Sequence, residues 1–158
     1  MRSKPLGSDD VSGAEFVREL LAGDPTYAVN FDRIQWDSEI GRYVMVEFLL
    51  CEEEQCERGV TPHTSHPNRY FHKNARKFIS LWTIAHKLDA VLYLVNYARA
   101  GTRHQNEVRV MKVQGLDAAR PEPVGTRNWE GSRAAFGRWF RALNRRGAAG
   151  PLEKASEG

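Results

Sequence analysis

The segment Tyr43–Cys51 reads Tyr-Val-Met-Val-Glu-Phe-Leu-Leu-Cys, an apolar run that one acid, Glu47, interrupts. Runs of this length that are rich in β-branched and aromatic residues are typical of a strand buried on both faces of a sheet. An ionised carboxylate in a dry core is strongly disfavoured unless a cation, a proton or a metal compensates it. The segment therefore predicts a buried strand in which Glu47 either marks a site, meets an arginine or points outward at a sheet edge.

The length and charge of the chain limit the classes of protein it can belong to. The chain has 158 residues and a formal net charge of +3. A chain of this length predicts one domain, here over residues 12–146. The polar composition of the two ends predicts a disordered N-terminus at 1–11 and a disordered tail at 147–158. No apolar run approaches the roughly 20 residues of a membrane span, and the first ten residues lack the apolar centre of a signal peptide. Because the chain has only two cysteines, we expect a cytoplasmic protein, and because it lacks an apolar span we expect no membrane partner.

Hydrophobic periodicity predicts an α/β chain with the order α-β-β-α-β-β-α. A helix of about residues 68–88 leads directly into the buried strand Val91–Tyr97, and this crossover unit predicts that the strand runs parallel to 43–51. The other predicted elements are a helix over Ser12–Ala22, a strand over Tyr27–Trp36, a strand over Glu107–Val113, an irregular stretch over Leu116–Gly131 and a final helix over Ser132–Arg145.

Two acids, Asp32 and Glu47, fall on neighbouring strands that the short turn Asp37–Gly41 joins. Strands with so short a connection are antiparallel neighbours, and a turn centred near Glu39 brings residues 32 and 47 almost opposite each other. Two carboxylates that face each other across a strand pair repel unless a cation lies between them. The spacing therefore predicts a cation site at this pair.

The order of these elements over about residues 12–97 resembles the common core of the PD-(D/E)XK nuclease superfamily, the restriction-endonuclease-like fold. In that core an acid precedes a strand that carries Glu-x-Lys, and a crossover helix and a parallel strand follow. Asp32 would supply the first acid, and Glu47-Phe48-Leu49 would occupy the second motif. The resemblance implies a mixed β-sheet flanked by helices and a metal-dependent endonuclease that hydrolyses phosphodiester bonds of DNA or RNA.

One position departs from that pattern, because Leu49 stands where the motif has its lysine. Some members of the superfamily take the basic residue from the following helix, and Lys77 is the first candidate for that role and Lys73 the second. The resemblance implies that Asp32 and Glu47 hold Mg²⁺ or Mn²⁺ through carboxylate oxygens and that the lysine positions the attacking water. If neither lysine reaches Glu47, the expectation becomes a non-catalytic nucleic-acid-binding module.

Basic residues outside the motifs are candidates for contacts with substrate phosphates. They are Arg69, Arg76 and His66 around the start of the crossover helix, and Arg138 and Arg141 on the last helix. A basic helix is also typical of a plain solvated face. The expected partner is nucleic acid, with DNA preferred over RNA. The resemblance to nucleases of this kind also allows a homodimer.

A second constellation competes with the carboxylate site. Cys51, Cys56, His63 and His66 form the pattern Cys-x4-Cys-x6-His-x2-His, and thiolate and imidazole groups in a compact loop are ligands of tetrahedral Zn²⁺. The alternative function is then a small zinc-stabilised interaction protein. The spacing differs from the common zinc-finger spacings, and the other interpretation is that the cysteines are buried packing residues and the histidines belong to a polar loop.

Overall fold

The computed structural model describes residues 12–151. The disorder predicted for residues 1–11 and 152–158 lies outside this range, and residues 147–151 form turns and bends. The elements in chain order are α1 (Ser12–Leu21), β1 (Arg33–Asp37), β2 (Arg42–Leu50), α2 (Glu53–Glu57), a 3₁₀ turn (Pro67–Arg69), α3 (Phe71–Lys87), β3 (Val91–Tyr97), β4 (Glu107–Leu116), β5 (Val124–Ser132) and α4 (Arg133–Arg146). None of the helices within residues 12–151 combines the length and apolar composition that a membrane span requires.

The strands form one mixed, five-stranded sheet in the order β1-β2-β3-β4-β5. The pairs β1/β2, β3/β4 and β4/β5 are antiparallel. The predicted parallel pair is confirmed, because β2 and β3 run in the same direction with Glu47 beside Leu94. Helix α3 makes the crossover between them, as a parallel connection requires.

The sheet separates two hydrophobic layers, and alternate residues of the central strands supply each layer. Met45 and Leu92 face α3 and pack with Phe78 and Leu81 of that helix. The intervening strand residues, such as Val44, Val46 and Val95, face α4 and pack with Phe136, Phe140 and Leu143. Strands covered on both faces have to be apolar at every position, which explains the continuous run in β2.

Three elements differ from the sequence predictions. The stretch 116–131 is not irregular, because Val124–Ser132 forms β5 and pairs with β4 along its length. This strand lies at the sheet edge and is mostly exposed, so its sequence lacks the alternation that marks a strand. The predicted strand 27–36 begins only at Arg33. An acidic stretch forms the short helix α2, which Glu52 and Gln55 cap. The observed order is therefore α-β-β-α-α-β-β-β-α.

Helix α1 begins at Ser12 as predicted, but none of its residues is buried. Its apolar stripe remains open, with Phe16 58% and Leu20 65% exposed. The core lies instead between the sheet, α3 and α4, so α1 does not contribute to it.

Candidate functional site

An open cleft of about 570 Å³ lies where β2, α3 and the segment that precedes β1 meet. It contains the four residues that the sequence analysis placed in the catalytic centre, Asp32, Glu47, Lys73 and Lys77. The remaining lining residues are Thr26, Tyr27, Ala28, Val29, Asn30, Phe48, Asn74 and Arg76. The cleft opens where β1 begins, next to the preceding segment, which has no regular secondary structure.

Hydrogen bonds from the backbone connect Asp32, the residue before β1, to Glu47 and Phe48 of β2. The register aligns Arg33 with Val46, so the next position brings Asp32 opposite Glu47, as predicted. The Asp32 backbone N–H donates to Glu47 Oε2 at 3.1 Å. The Asp32 carboxylate accepts from the backbone N–H of Phe48 through Oδ2 at 2.8 Å. Each carboxylate is therefore fixed by the backbone of the opposite strand.

Lys77 is the cation that compensates Glu47. Its Nζ lies 2.5 Å from Glu47 Oε1, and the Glu47 side chain is only 5% exposed. The basic partner of Glu47 thus comes from α3, the crossover helix, while Leu49, where the motif has its lysine, packs against the α3-side core. The helix changes direction at Asn74, whose φ of −129° is not helical. Because this kink lies between Lys73 and Lys77, it helps to set where the two ammonium groups enter the cleft.

Burial raises the pKa of Glu47 above its ordinary value, and the nearby Asp32 carboxylate acts in the same direction. The hydrogen bond and the charge of Lys77 act to lower it, but they do not outweigh the loss of solvation. A buried acid whose pKa is raised although a lysine contacts it, and which lies in a cleft, is a candidate functional group on physical grounds.

The donor set of the cleft suits a hard divalent cation. Mg²⁺ prefers oxygen ligands and commonly takes only one or two protein carboxylates, the other positions going to water and substrate phosphate. No described residue donates a hydrogen bond to Asp32 Oδ1, so this oxygen is available, and Glu47 Oε2 has one backbone donor. Residues 12–151 contain no group of three or more His, Cys, Asp and Glu side chains arranged around one metal position. Asp32 and Glu47 are therefore the described carboxylates of this cleft that could hold such an ion.

Arg76 joins α3 to the segment before β1. Its guanidinium donates to the backbone carbonyl of Tyr27 and lies 5.4 Å above the centre of the Tyr27 ring. Arg76 was predicted from the sequence as a substrate contact, whereas Tyr27 and its neighbours 28–30 were predicted to form a strand and were not recognised as part of a site. Asp24-Pro25 just before the segment is the signal that could have indicated an irregular chain here.

The other predicted substrate contacts do not line this cleft. Arg138 and Arg141 lie on α4, which covers the opposite face of the sheet. His66 caps the 3₁₀ turn by accepting from the Asn68 N–H through Nδ1, and its Nε2 lies 2.9 Å from Thr126 Oγ1. Burial and the Arg109 charge lower the pKa of His66, which favours the neutral ring. Its contacts are with the loop and with β5 rather than with the cleft. Arg69 is exposed at the end of the same turn.

The proposed zinc ligands each have other surroundings. Cys51 and Cys56 are free and buried, and the Cys56 thiol points to the carbonyl of Cys51 at 3.8 Å. The His63 ring contacts the carbonyl of Gly131 at 3.1 Å, and His66 contacts β5. The part of the chain that the structure describes does not assemble the four side chains into a metal-binding group.

Comparisons with known proteins add nothing to this geometry, because no family model, no curated protein and no solved structure matches the chain.

Proposed function

We propose that the chain is a metal-dependent nuclease that hydrolyses phosphodiester bonds of DNA or RNA in the cleft between β2 and α3. The observation that carries the proposal is the convergence of Asp32, Glu47 and Lys77. Two carboxylates that the sheet register sets opposite each other and a lysine from α3 line one open cleft, and the lysine forms an ion pair with Glu47. The PD-(D/E)XK-like element order, with the lysine taken from the crossover helix, is consistent with this proposal.

The chain's own residues have distinct parts in the proposed reaction. Asp32 and Glu47 would hold Mg²⁺ or Mn²⁺, which supplies a polarised phosphate oxygen and a bound water of lowered pKa. Lys77 holds the Glu47 carboxylate in place through its ion pair and offsets negative charge on a phosphate bound beside it. Lys73, one turn earlier and exposed at the same cleft, adds positive charge that attracts the substrate backbone. Water adds to phosphorus and the phosphorus–oxygen ester bond breaks; one proton of the water ends on the leaving oxygen and the other stays with the new phosphate.

The test is cleavage of labelled single-stranded DNA, duplex DNA and RNA with Mg²⁺ or Mn²⁺, and with chelator. We expect cleavage that requires the metal and falls by about 100-fold or more in Glu47→Gln and Asp32→Asn, since each removes a charge from the reacting centre. Lys77→Met should also lose activity. The matched control is Glu57→Gln, an exposed glutamate outside the cleft, which should cleave like the intact chain.

Two outcomes would contradict this proposal. Cleavage that survives equally in Glu47→Gln and Glu57→Gln would mean that the cleft is not the reacting centre. Absence of cleavage by the intact chain would favour the second candidate, a non-catalytic nucleic-acid-binding module, if the chain still binds nucleic acid. The observation that favours this second candidate is the core position of Leu49 where the superfamily motif carries lysine.

A further inference from the structure

A second concavity lies on the other side of the sheet, between α4 and the strands β4 and β5. It has a volume of about 300 Å³ and is lined mainly by apolar groups. Aromatic side chains form much of its wall: Tyr93, Trp129, Phe136 and Trp139. This size lies at the lower end of the range for ligand pockets and suits one or two planar rings. We call it the aromatic groove.

The rings of the aromatic groove are arranged so that one of them stays open. Tyr93 and Trp139 meet edge to face with centroids 5.3 Å apart, and Phe136 packs against Trp139 at 5.7 Å. Trp129 comes from the edge strand β5, has no such ring partner among the described residues, and is 45% exposed. The part of the Trp129 ring that lines the groove and is not covered by the Arg127 guanidinium can therefore accept a further ring without any rearrangement of the core.

Three basic residues lie on the same side of the sheet as Trp129, and one of them contacts its ring. The guanidinium of Arg127 lies 5.2 Å from the centre of the Trp129 ring. Lys112 is the cross-strand partner of Arg127 and lies on the same sheet face as Val110, which lines the groove. Arg138 follows Ala135 of the groove wall by three residues on α4 and is exposed, so it lies along the same flank of the helix.

The one acid among the described lining residues is already paired. The Glu130 carboxylate accepts from Arg109 Nε at 2.9 Å and lies 2.7 Å from Arg109 Nη2. Arg109 in turn donates to the Ser65 carbonyl, in the loop on the α3 side of the sheet. The charge that remains around the groove is therefore positive, and it complements an anionic ligand that carries flat apolar rings.

We propose that the aromatic groove binds single-stranded nucleic acid, with an unstacked base against Trp129 and the flanking phosphates near Arg127, Lys112 and Arg138. Base stacking on an aromatic side chain combined with cations along the backbone is the physical basis of single-strand binding. A duplex keeps its bases stacked and paired, so it cannot use the groove in this way. The proposal does not depend on catalysis in the cleft, which lies on the opposite face of the sheet.

The test is binding of a labelled oligothymidine of about 12 nucleotides and of the matching oligouridine, measured by fluorescence anisotropy in chelator at about 100 mM salt. An abasic oligonucleotide of equal length keeps the charge but offers no rings. We expect the abasic strand and a duplex to bind about 10-fold more weakly than the single strand with bases. The comparison between oligothymidine and oligouridine separates DNA from RNA as the source of the strand.

Variants separate stacking from charge. Trp129→Ala should weaken the strand with bases about 10-fold and leave the abasic strand unchanged, whereas Arg127→Gln and Lys112→Gln should weaken both. Gly131→Val should fill the groove without any change in charge, because a Cβ at Gly131 meets only Ala135 Cβ, at 3.8 Å. Lys87→Gln, an exposed lysine at the end of α3, is the charge control and should bind like the intact chain.

The outcomes are decisive in both directions. Equal binding of the abasic strand and the strand with bases, an unchanged affinity in Trp129→Ala, or no binding of either oligothymidine or oligouridine would overturn the proposal. Binding that is retained in Glu47→Gln would support it even if no cleavage is found, so failure of the nuclease proposal and failure of this one are distinguishable.

Discussion

Glu47 is a buried acid whose ionised form is compensated only in part. Its pKa is raised mainly by burial, against the effect of Lys77. The folded protein therefore binds this proton more tightly than the unfolded chain, and the free energy of unfolding falls as the pH rises from the ordinary value of 4.5 through the folded-state pKa. Above that window the ionised carboxylate costs stability.

Glu47→Gln should consequently stabilise the protein, whatever it does to the proposed cleavage. Glutamine resembles the protonated acid, so we expect the thermal midpoint at about pH 7 to rise by about 2–4 °C. The difference should vanish at about pH 4, where the glutamate is itself protonated. The measurement is thermal unfolding across this range with Glu57→Gln as the exposed control. A lower midpoint at neutral pH would mean that the Lys77 ion pair outweighs the burial of the charge.

The two thiols should be unreactive in the folded protein. Burial raises the pKa of Cys51 to about 11, and the neighbouring Cys56 contributes, so little reactive thiolate exists at neutral pH. We expect alkylation by iodoacetamide to be slow in the native state and complete in denaturant, with or without chelator. Rapid native labelling of Cys51 would contradict the buried placement, and labelling that begins only after chelator is added would restore the zinc interpretation.

At the scale of elements, an ion pair fastens the end of α4 to the end of β1. Arg146 Nε lies 2.9 Å from Asp37 Oδ1, and Asp37 is 3% exposed. Burial acts to raise the pKa of Asp37, but the hydrogen bonds from Arg146 and from the Glu39 N–H, with the Arg146 charge, hold it below its ordinary value of 3.8. The pair therefore contributes stability above this pH that is lost as the pH falls through the folded-state pKa.

Arg146→Ala should leave the Asp37 carboxylate buried without its cation. The Arg146 side chain is 29% exposed, so water screens part of the interaction, and we expect a loss of about 2 kcal/mol in unfolding free energy. The loss should shrink at pH values below 3.8, where Asp37 becomes protonated. Denaturant titration measures this loss of unfolding free energy, and Arg145→Ala, at an exposed position of the same helix, is the control. Equal stability of the two variants would show that the pair contributes nothing.

At the scale of the whole molecule, stability should reside in the sheet with α3 and α4 and not in α1. Phe16 and Leu20 of α1 are exposed, whereas Phe78 of α3 is 2% exposed. The double variant Phe16→Gln, Leu20→Gln should change the unfolding free energy by less than about 0.5 kcal/mol, while Phe78→Ala should cost about 3–5 kcal/mol. A large loss in the double variant would mean that α1 is packed in solution.

Much of the central unit follows from the sequence alone because its signals are local. A continuous apolar run indicates a strand covered on both faces, and a helix between two such runs forces them parallel. A short turn aligns residues that are equally distant from its centre, which is why the spacing of Asp32 and Glu47 along the chain is enough to pair them. Helical periodicity likewise indicates that Lys77 lies on the polar face of the crossover helix, where it meets Glu47.

Features that depend on contacts between distant segments could be seen only in the tertiary structure. β5 has little apolar alternation of its own and forms because β4 offers an unpaired edge. The face on which a helix packs depends on the path of the whole chain, so Arg138 and Arg141, predicted as contacts with substrate phosphates, lie on the other side of the sheet from the cleft. The same path brings Trp129 beside α4 and creates the aromatic groove. Local periodicity and short connections define most elements and pair β1, β2 and β3, but they do not determine which face of the sheet a helix covers or that a weakly patterned segment becomes an edge strand.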